Sequence, residues 1–115
     1  MAKARAKMTS VLLEFSMFPT SDDCREGASV SKQVSKVIDA IDKSGIPYQL
    51  TPMGTVIEAS SMKEALGIIE LAYEQLDGCD RVYSSLKFDI RKNCENRLKT
   101  KIESVEKVLN REINH

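Results

Sequence analysis

Three side chains in one short stretch set the chemical question. Between Tyr48 and Ala59 the sequence reads Y-Q-L-T-P-M-G-T-V-I-E-A, which places Thr51, Thr55 and Glu58 around a Pro52–Gly54 turn. Two hydroxyls and a carboxylate can read hydrogen-bonding groups on a polar ligand and offer one negative charge to a cation. They do not make a nucleophilic centre. The sole histidine, His115, is the last residue, so no Ser-His or Cys-His pair can be assembled in the folded body. The five glycines are isolated, which excludes a glycine-rich phosphate cradle. Asp22, Asp23 and Glu26 fit no calcium-loop spacing and read as a solvated acidic loop.

The elements around that stretch must position it. Tyr48, Leu50, Thr55, Val56 and Ile57 favour a pleated surface, while Pro52 and Gly54 interrupt it, so the stretch is a hairpin. Before it, Val11 to Phe18 alternates as a half-buried strand that Pro19 ends. Ser29 reads as a helix N-cap, followed by Val30, Val34, Val37, Ile38 and Ile41 at helical spacing, with Gly45 as the left-handed stop. After the hairpin, Ser61 and Glu64 form a capping box. The helix they start carries Met62, Leu66, Ile69, Tyr73 and Leu76 on one stripe. Arg81 to Ile90 alternates again, and a last helix from about Asn96 to Ile113 shows Leu98, Ile102, Val105 and Leu109 on one side.

The order β-α-β-β-α-β with an extra C-terminal helix predicts an α+β, ferredoxin-like sandwich: a four-stranded antiparallel sheet with two helices on one face. The first and third strands then lie at the centre and the fourth beside the first. In that arrangement Glu14, Ser16, Glu58, Ser85, Lys87 and Asp89 share a face if the registers agree.

At 115 residues the chain is sized for one domain. We take residues 1–9 as a basic tail and 10–115 as the domain. No apolar run approaches membrane-spanning length, and the basic start lacks the apolar core of a signal peptide. The 17 basic and 17 acidic residues balance, but Ser10 to Asp80 holds 5 basic against 12 acidic and Arg81 to His115 holds 9 against 5. An acidic body with a basic end points to self-association rather than to nucleic acid or membrane. Cys24, Cys79 and Cys94 are too few and too scattered for a disulfide framework, and no zinc pattern accompanies them. The expectation is reduced thiols in the cytoplasm.

With these elements in place, the segments E-F-S-M-F-P (Glu14–Pro19), S-V-S (Ser29–Ser31), S-G-I-P-Y-Q-L-T-P-M-G-T-V-I-E (Ser44–Glu58), R-V-Y-S-S-L-K-F-D-I-R (Arg81–Arg91) and S-V-E-K-V-L (Ser104–Leu109) resemble the small single-domain members of the thiamine-binding, YkoF-like superfamily. The resemblance covers nearly all of Val11 to Leu109, and P-M-G-T-x-I-E is its most specific piece. It implies a ferredoxin-like fold, assembly into dimers and tetramers through sheets and the last helix, and in some members binding of thiamine or its hydroxymethylpyrimidine part. It implies neither catalysis nor a further cofactor. The sequence departs from the family pattern at Ala59, Tyr73 and Asn93, where a glycine, a histidine and an aspartate are common.

Thiamine pairs an aminopyrimidine, which a carboxylate or hydroxyls can read, with a fixed thiazolium cation that favours an acidic wall or an aromatic face. On this reading Glu58 meets the pyrimidine, Ser16, Thr55 and Ser29 add polar contacts, Tyr48 or Phe18 stacks, and Lys87 and Arg91 would meet a phosphate. Two alternatives stand beside it. Glu58, Lys87 and Asp89 could instead be a cross-strand ion-pair set at a subunit interface, and Ser29 a plain helix cap. The whole chain would then be an oligomeric structural or regulatory protein with no thiamine ligand. Leu12, Phe18 and Tyr83 are the apolar residues expected on the sheet face that the helices leave open, which the last helix of the same or a neighbouring chain could cover.

Overall fold

Alternation, caps and turns translate directly into the elements of the computed structural model, which describes residues 8–24 and 31–115. Strand β1 (Thr9–Pro19) leads through a short 3-10 turn (Asp22–Cys24) to helix α1 (Ser31–Ser44). The hairpin strands are β2 (Tyr48–Thr51) and β3 (Gly54–Ala59), followed by α2 (Met62–Glu74), β4 (Val82–Lys92) and α3 (Arg97–Leu109). The four strands form one antiparallel sheet in the order β2-β3-β1-β4. The chain is therefore an α+β, ferredoxin-like sandwich with an added C-terminal helix.

Period-two alternation sorts the sheet into two faces. Val11, Leu13, Phe15 and Met17 of β1 are buried beneath the helices, joined by Ile57 of β3, Val37 and Ile41 of α1, and Ala65, Ile68, Ala72 and Leu76 from α2 and its end. On the other face Glu14 stands opposite Lys87, Ser16 opposite Ser85, and Leu12 opposite both Asp89 and Glu58. The shared polar face expected from the sequence is thus in register. Gly45, at φ +80°, closes α1 in the left-handed conformation that lacks a steric penalty only for glycine. Ser61 caps α2 by accepting from the Glu64 N–H at 3.0 Å, and Glu64 accepts from the Ser60 N–H at 2.7 Å.

The structure corrects three expectations. The buried stripe of α2 is Ala65, Ile68 and Ala72, whereas Met62, Leu66 and Tyr73 are exposed. Two alanines let the helix lie close to the sheet, and their small area was outweighed by larger side chains in the periodic reading. Thr9 pairs with Lys92 and opens β1, and Met8 O accepts from the Asn93 N–H, so the ordered domain starts earlier than residue 10. Residues 1–7, Glu26, Ser29 and Val30 lie outside the described residues.

The third correction concerns sulfur. Cys24 and Cys79 form a disulfide, with Cα atoms 5.7 Å apart; Cys94 is free. Fifty-five residues separate the two in sequence, which is why they looked scattered. The antiparallel pairing of β1 with β4 runs to Pro19 opposite Val82, and this brings the loop after β1 against the loop before β4. Register, not sequence distance, decides the pairing.

Candidate functional site

Strand β1 is longer than its neighbour β3, and the mismatch opens a groove. Pairing between β1 and β3 stops at Phe15 opposite Thr55, but pairing between β1 and β4 continues to Pro19 opposite Val82. From Ser16 to Pro19, β1 therefore has no strand partner on its β3 side. The groove at this notch, of about 400 Å³, is walled by Phe15–Phe18 of β1, Leu50–Thr55 of the hairpin and Val34, Val37 and Ile38 of α1. Its volume lies within the range that holds small ligands, and its lining combines apolar walls with a few hydroxyls, as such sites do.

The hairpin is fixed so that it frames the notch without closing it. Thr51 Oγ accepts from the N–H groups of Met53 and Gly54 at 3.2 and 3.1 Å and donates to Gly54 O at 2.9 Å. Its hydroxyl is thereby committed to the turn. Gly54 passes so close to β1 that a Cβ there would sit 2.8 Å from the Phe15 carbonyl oxygen. Only glycine permits this approach.

A second hollow continues outward from the first. Val34, Ile38 and Leu50 are common to both, and the outer trough of about 650 Å³ adds Ser31, Ser35, Asp39, Asp42 and Tyr48. Tyr48 Oη donates to Asp42 Oδ1 at 2.8 Å, and this bond, with a smaller contribution from desolvation and the nearby charge, raises the phenol pKa above its ordinary value. Asp39 pairs with Lys43 at 2.8 Å. The trough thus sets an aromatic ring beside carboxylates, a surface suited to a cation.

Glu58 belongs to a different place. Its carboxylate accepts from Ser10 Oγ at 2.6 Å, from the Arg97 N–H at 2.9 Å and from the Leu98 N–H at 3.1 Å, and so caps the N-terminus of α3. Burial alone would push this carboxyl up. The Ser10 hydroxyl, the two backbone N–H groups and the Arg97 charge outweigh it and hold the group below its usual range. Arg97 completes the cluster: Nε donates to Ser10 Oγ at 2.8 Å, Nη2 to Ser10 O at 2.8 Å and to Asp89 O at 2.6 Å, and Nη1 pairs with Asp89 Oδ2 at 2.9 Å. The oxygens of Glu58 are thus engaged by its own chain, which gives the residue expected to read the pyrimidine an internal, capping role.

Of the residues singled out in the sequence, the structure gathers Ser16, Phe18 and Thr55 at the groove and Tyr48 at the trough. Thr55 and Glu58 are separated because residues three apart on a strand point to opposite faces. Lys87 sits 3.5 Å from Glu14 across the β1–β4 pair, an exposed contact, and Arg91 is opposite Ser10; neither lines the groove of its own chain. Asp89 holds Arg97. Arg97 itself and the trough carboxylates Asp39 and Asp42 went unread in the sequence. An arginine in the first turn of a helix, where the backbone dipole disfavours a cation, was the available sign that this side chain is anchored elsewhere.

The fold and groove define a ferredoxin-like domain of the class that presents an open, mixed-polarity hollow between a hairpin and a helix. Its family follows from sequence: residues 13–106 match the model of the thiamine-binding protein family, and the chain belongs to that family. It is 37% identical over 99 residues to a UPF0045 protein of Methanocaldococcus jannaschii, covering 85% of this chain and 94% of that one. A UPF0045 protein of Methanothermobacter thermautotrophicus is 35% identical over 79 residues, covering 67% and 80%. The crystal structure of the M. jannaschii protein superposes with a TM-score of 0.69, covering 84% of this chain and 95% of that one. A Thermotoga maritima protein named for a proposed role in thiamine biosynthesis or salvage shares the fold, with a TM-score of 0.57, 21% identity and coverage of 80% and 96%.

Proposed function

We propose that the chain is a non-catalytic small-molecule binding protein whose ligand is thiamine or its hydroxymethylpyrimidine part, held in the groove and trough between β1, the hairpin and α1. The observation that carries this reading is the strand mismatch: the backbone of β1 from Ser16 to Pro19 lacks a β3 partner in a hollow whose outer end is aromatic and acidic. A flat aminopyrimidine can pair with an unpartnered strand edge and with the Ser16 and Thr55 hydroxyls while lying against Phe18. The thiazolium cation then projects over Tyr48 toward Asp42. Family membership and the T. maritima relative's name support the choice of ligand.

Assembly into homodimers or homotetramers is part of the proposal. Strand β4 is an edge strand of 11 residues, and Leu86 and Ile90 remain 39% and 50% exposed although they point to the helix side. Val108 on α3 is 86% exposed, and Phe18 and Tyr83 form an open-face aromatic pair 6.1 Å between centroids. Burial of these surfaces is worth about 25 cal/mol per Å² and neighbouring copies would supply it. No helix among the described residues is long and apolar enough to cross a membrane. We place the protein in the cytoplasm, as a carrier, buffer or sensor.

Isothermal titration with thiamine, hydroxymethylpyrimidine and thiamine phosphates tests the reading. Saturable binding is expected, with Ser16→Val weakening all ligands. Tyr48→Ala should weaken thiamine by roughly tenfold and leave the uncharged pyrimidine nearly unaffected, the size of a modest cation–π contact. Absence of heat with every compound, on a folded and assembled protein, would leave the alternative of a ligand-free structural or regulatory oligomer.

A further inference from the structure

The Cys24–Cys79 bridge lies outside the groove and plays no part in the reading above. Each cysteine is held by its own turn: the Cys24 N–H donates to Ser21 O at 3.3 Å and the Cys79 N–H to Leu76 O at 3.0 Å. The two loops are also joined without sulfur. The Thr20 N–H donates to Arg81 O at 2.9 Å, the Arg81 N–H to Ser21 Oγ at 3.1 Å and the Asp80 N–H to Asp23 Oδ2 at 3.1 Å. Opening the S–S bond therefore leaves both thiols facing each other on a preformed scaffold, so closure is an intramolecular step at high effective concentration. Both cysteines are partly exposed, within reach of a small thiol. In a reducing compartment such a pair is a transient, sensing bridge rather than a permanent staple.

The surroundings add selectivity. The cysteines sit in D-D-C and D-G-C-D-R, so among the described residues Asp22, Asp23, Asp77 and Asp80 flank them against one cation, Arg81. The four aspartates are solvent-exposed. Anionic thiolates are repelled from such a site and cationic ones attracted.

We propose that Cys24 and Cys79 form a reversible thiol–disulfide exchange site tuned to cationic or neutral low-molecular-weight thiols over anionic ones. A small thiolate attacks one sulfur of the bridge, the S–S bond breaks, and the displaced cysteine thiolate takes a proton. A second small thiol then attacks the mixed disulfide and leaves with the first as a small disulfide, so two thiols are oxidised as two cysteines are reduced. The reverse sequence, driven by the small disulfide, restores the bridge. Its closure covalently ties the 3-10 turn after β1 to the loop before β4.

The test uses the full chain carrying Cys94→Ser, so that the pair supplies the only thiols. Reduction is followed by alkylation and mass, under native conditions, with cysteamine and with glutathione at matched thiolate concentration. The expected result is reduction by cysteamine roughly tenfold faster at low ionic strength, with the ratio shrinking at about 0.5 M salt as screening shortens the field. Asp22→Asn with Asp77→Asn should reduce the ratio, and cystamine should re-form the bridge with loss of both alkylatable thiols. Two alkylatable thiols persisting after cystamine treatment of the native protein, or a bridge that opens only on unfolding, overturns the exchange site. Equal rates for the two thiols at low salt overturn its selectivity.

Discussion

The Arg97 N–H donates to the Glu58 carboxylate at 2.9 Å while the Arg97 guanidinium is held by Ser10 and Asp89, so one residue of α3 is fixed at both its backbone and its side chain. This pair joins the last helix to the two central strands. It also makes the most conspicuous carboxylate of the sequence the cap of a helix.

A pH dependence follows from that cap. The Glu58 carboxyl is depressed below its ordinary value of 4.5, so its stabilisation is fully present above that value and is lost as pH falls through the lower, folded-state value. Glu58→Gln should cost about 1.5–3 kcal/mol at pH 7, the range for hydrogen bonds to a charged group. It should also flatten the acid limb of stability below pH about 4.5 while sparing groove affinity. Urea denaturation across pH measures both; an unchanged acid limb in the variant would refute the assignment.

The approach of Gly54 to β1 predicts intolerance of any side chain. Gly54→Ala forces a Cβ to within 2.8 Å of the Phe15 carbonyl oxygen, and that atom is backbone and cannot swing aside. The hairpin must shift, at a cost of about 1–3 kcal/mol, and ligand binding in the groove should weaken with it. A variant with wild-type stability and binding would show that the notch does not depend on this contact.

The apolar end of α3 predicts the assembly surface. Val105, Val108 and Leu109 are 44%, 86% and 47% exposed in the single chain. Val108→Asp should lower the oligomeric mass measured by light scattering without changing the helical signal, because the residue makes no core contact in its own chain. Mass unchanged by this substitution would move the interface elsewhere, with the β4 edge the next surface to vary.

Much of this architecture was legible in the residues themselves. Alternation from Val11 to Phe18 and from Arg81 to Ile90 gave the long strands, Pro52 and Gly54 the hairpin, Ser61 and Glu64 the start of α2, and Gly45 the end of α1. These are local preferences, set by sterics and short-range hydrogen bonds, and they act wherever the chain is. The strand order also followed, because few arrangements satisfy β-α-β-β-α-β with short connections.

What only the tertiary structure decided depended on partners distant in sequence. That Glu58 caps a helix end depends on Arg97 and Leu98, some forty residues on, arriving over the same sheet face. Whether Cys24 and Cys79 are scattered or bonded is settled by the β1–β4 register. The groove exists because β1 outruns β3 while still paired with β4, a difference in strand length that appears only once the strands are aligned. Spacing along the chain fixes which face a side chain takes; register and packing fix what it meets there.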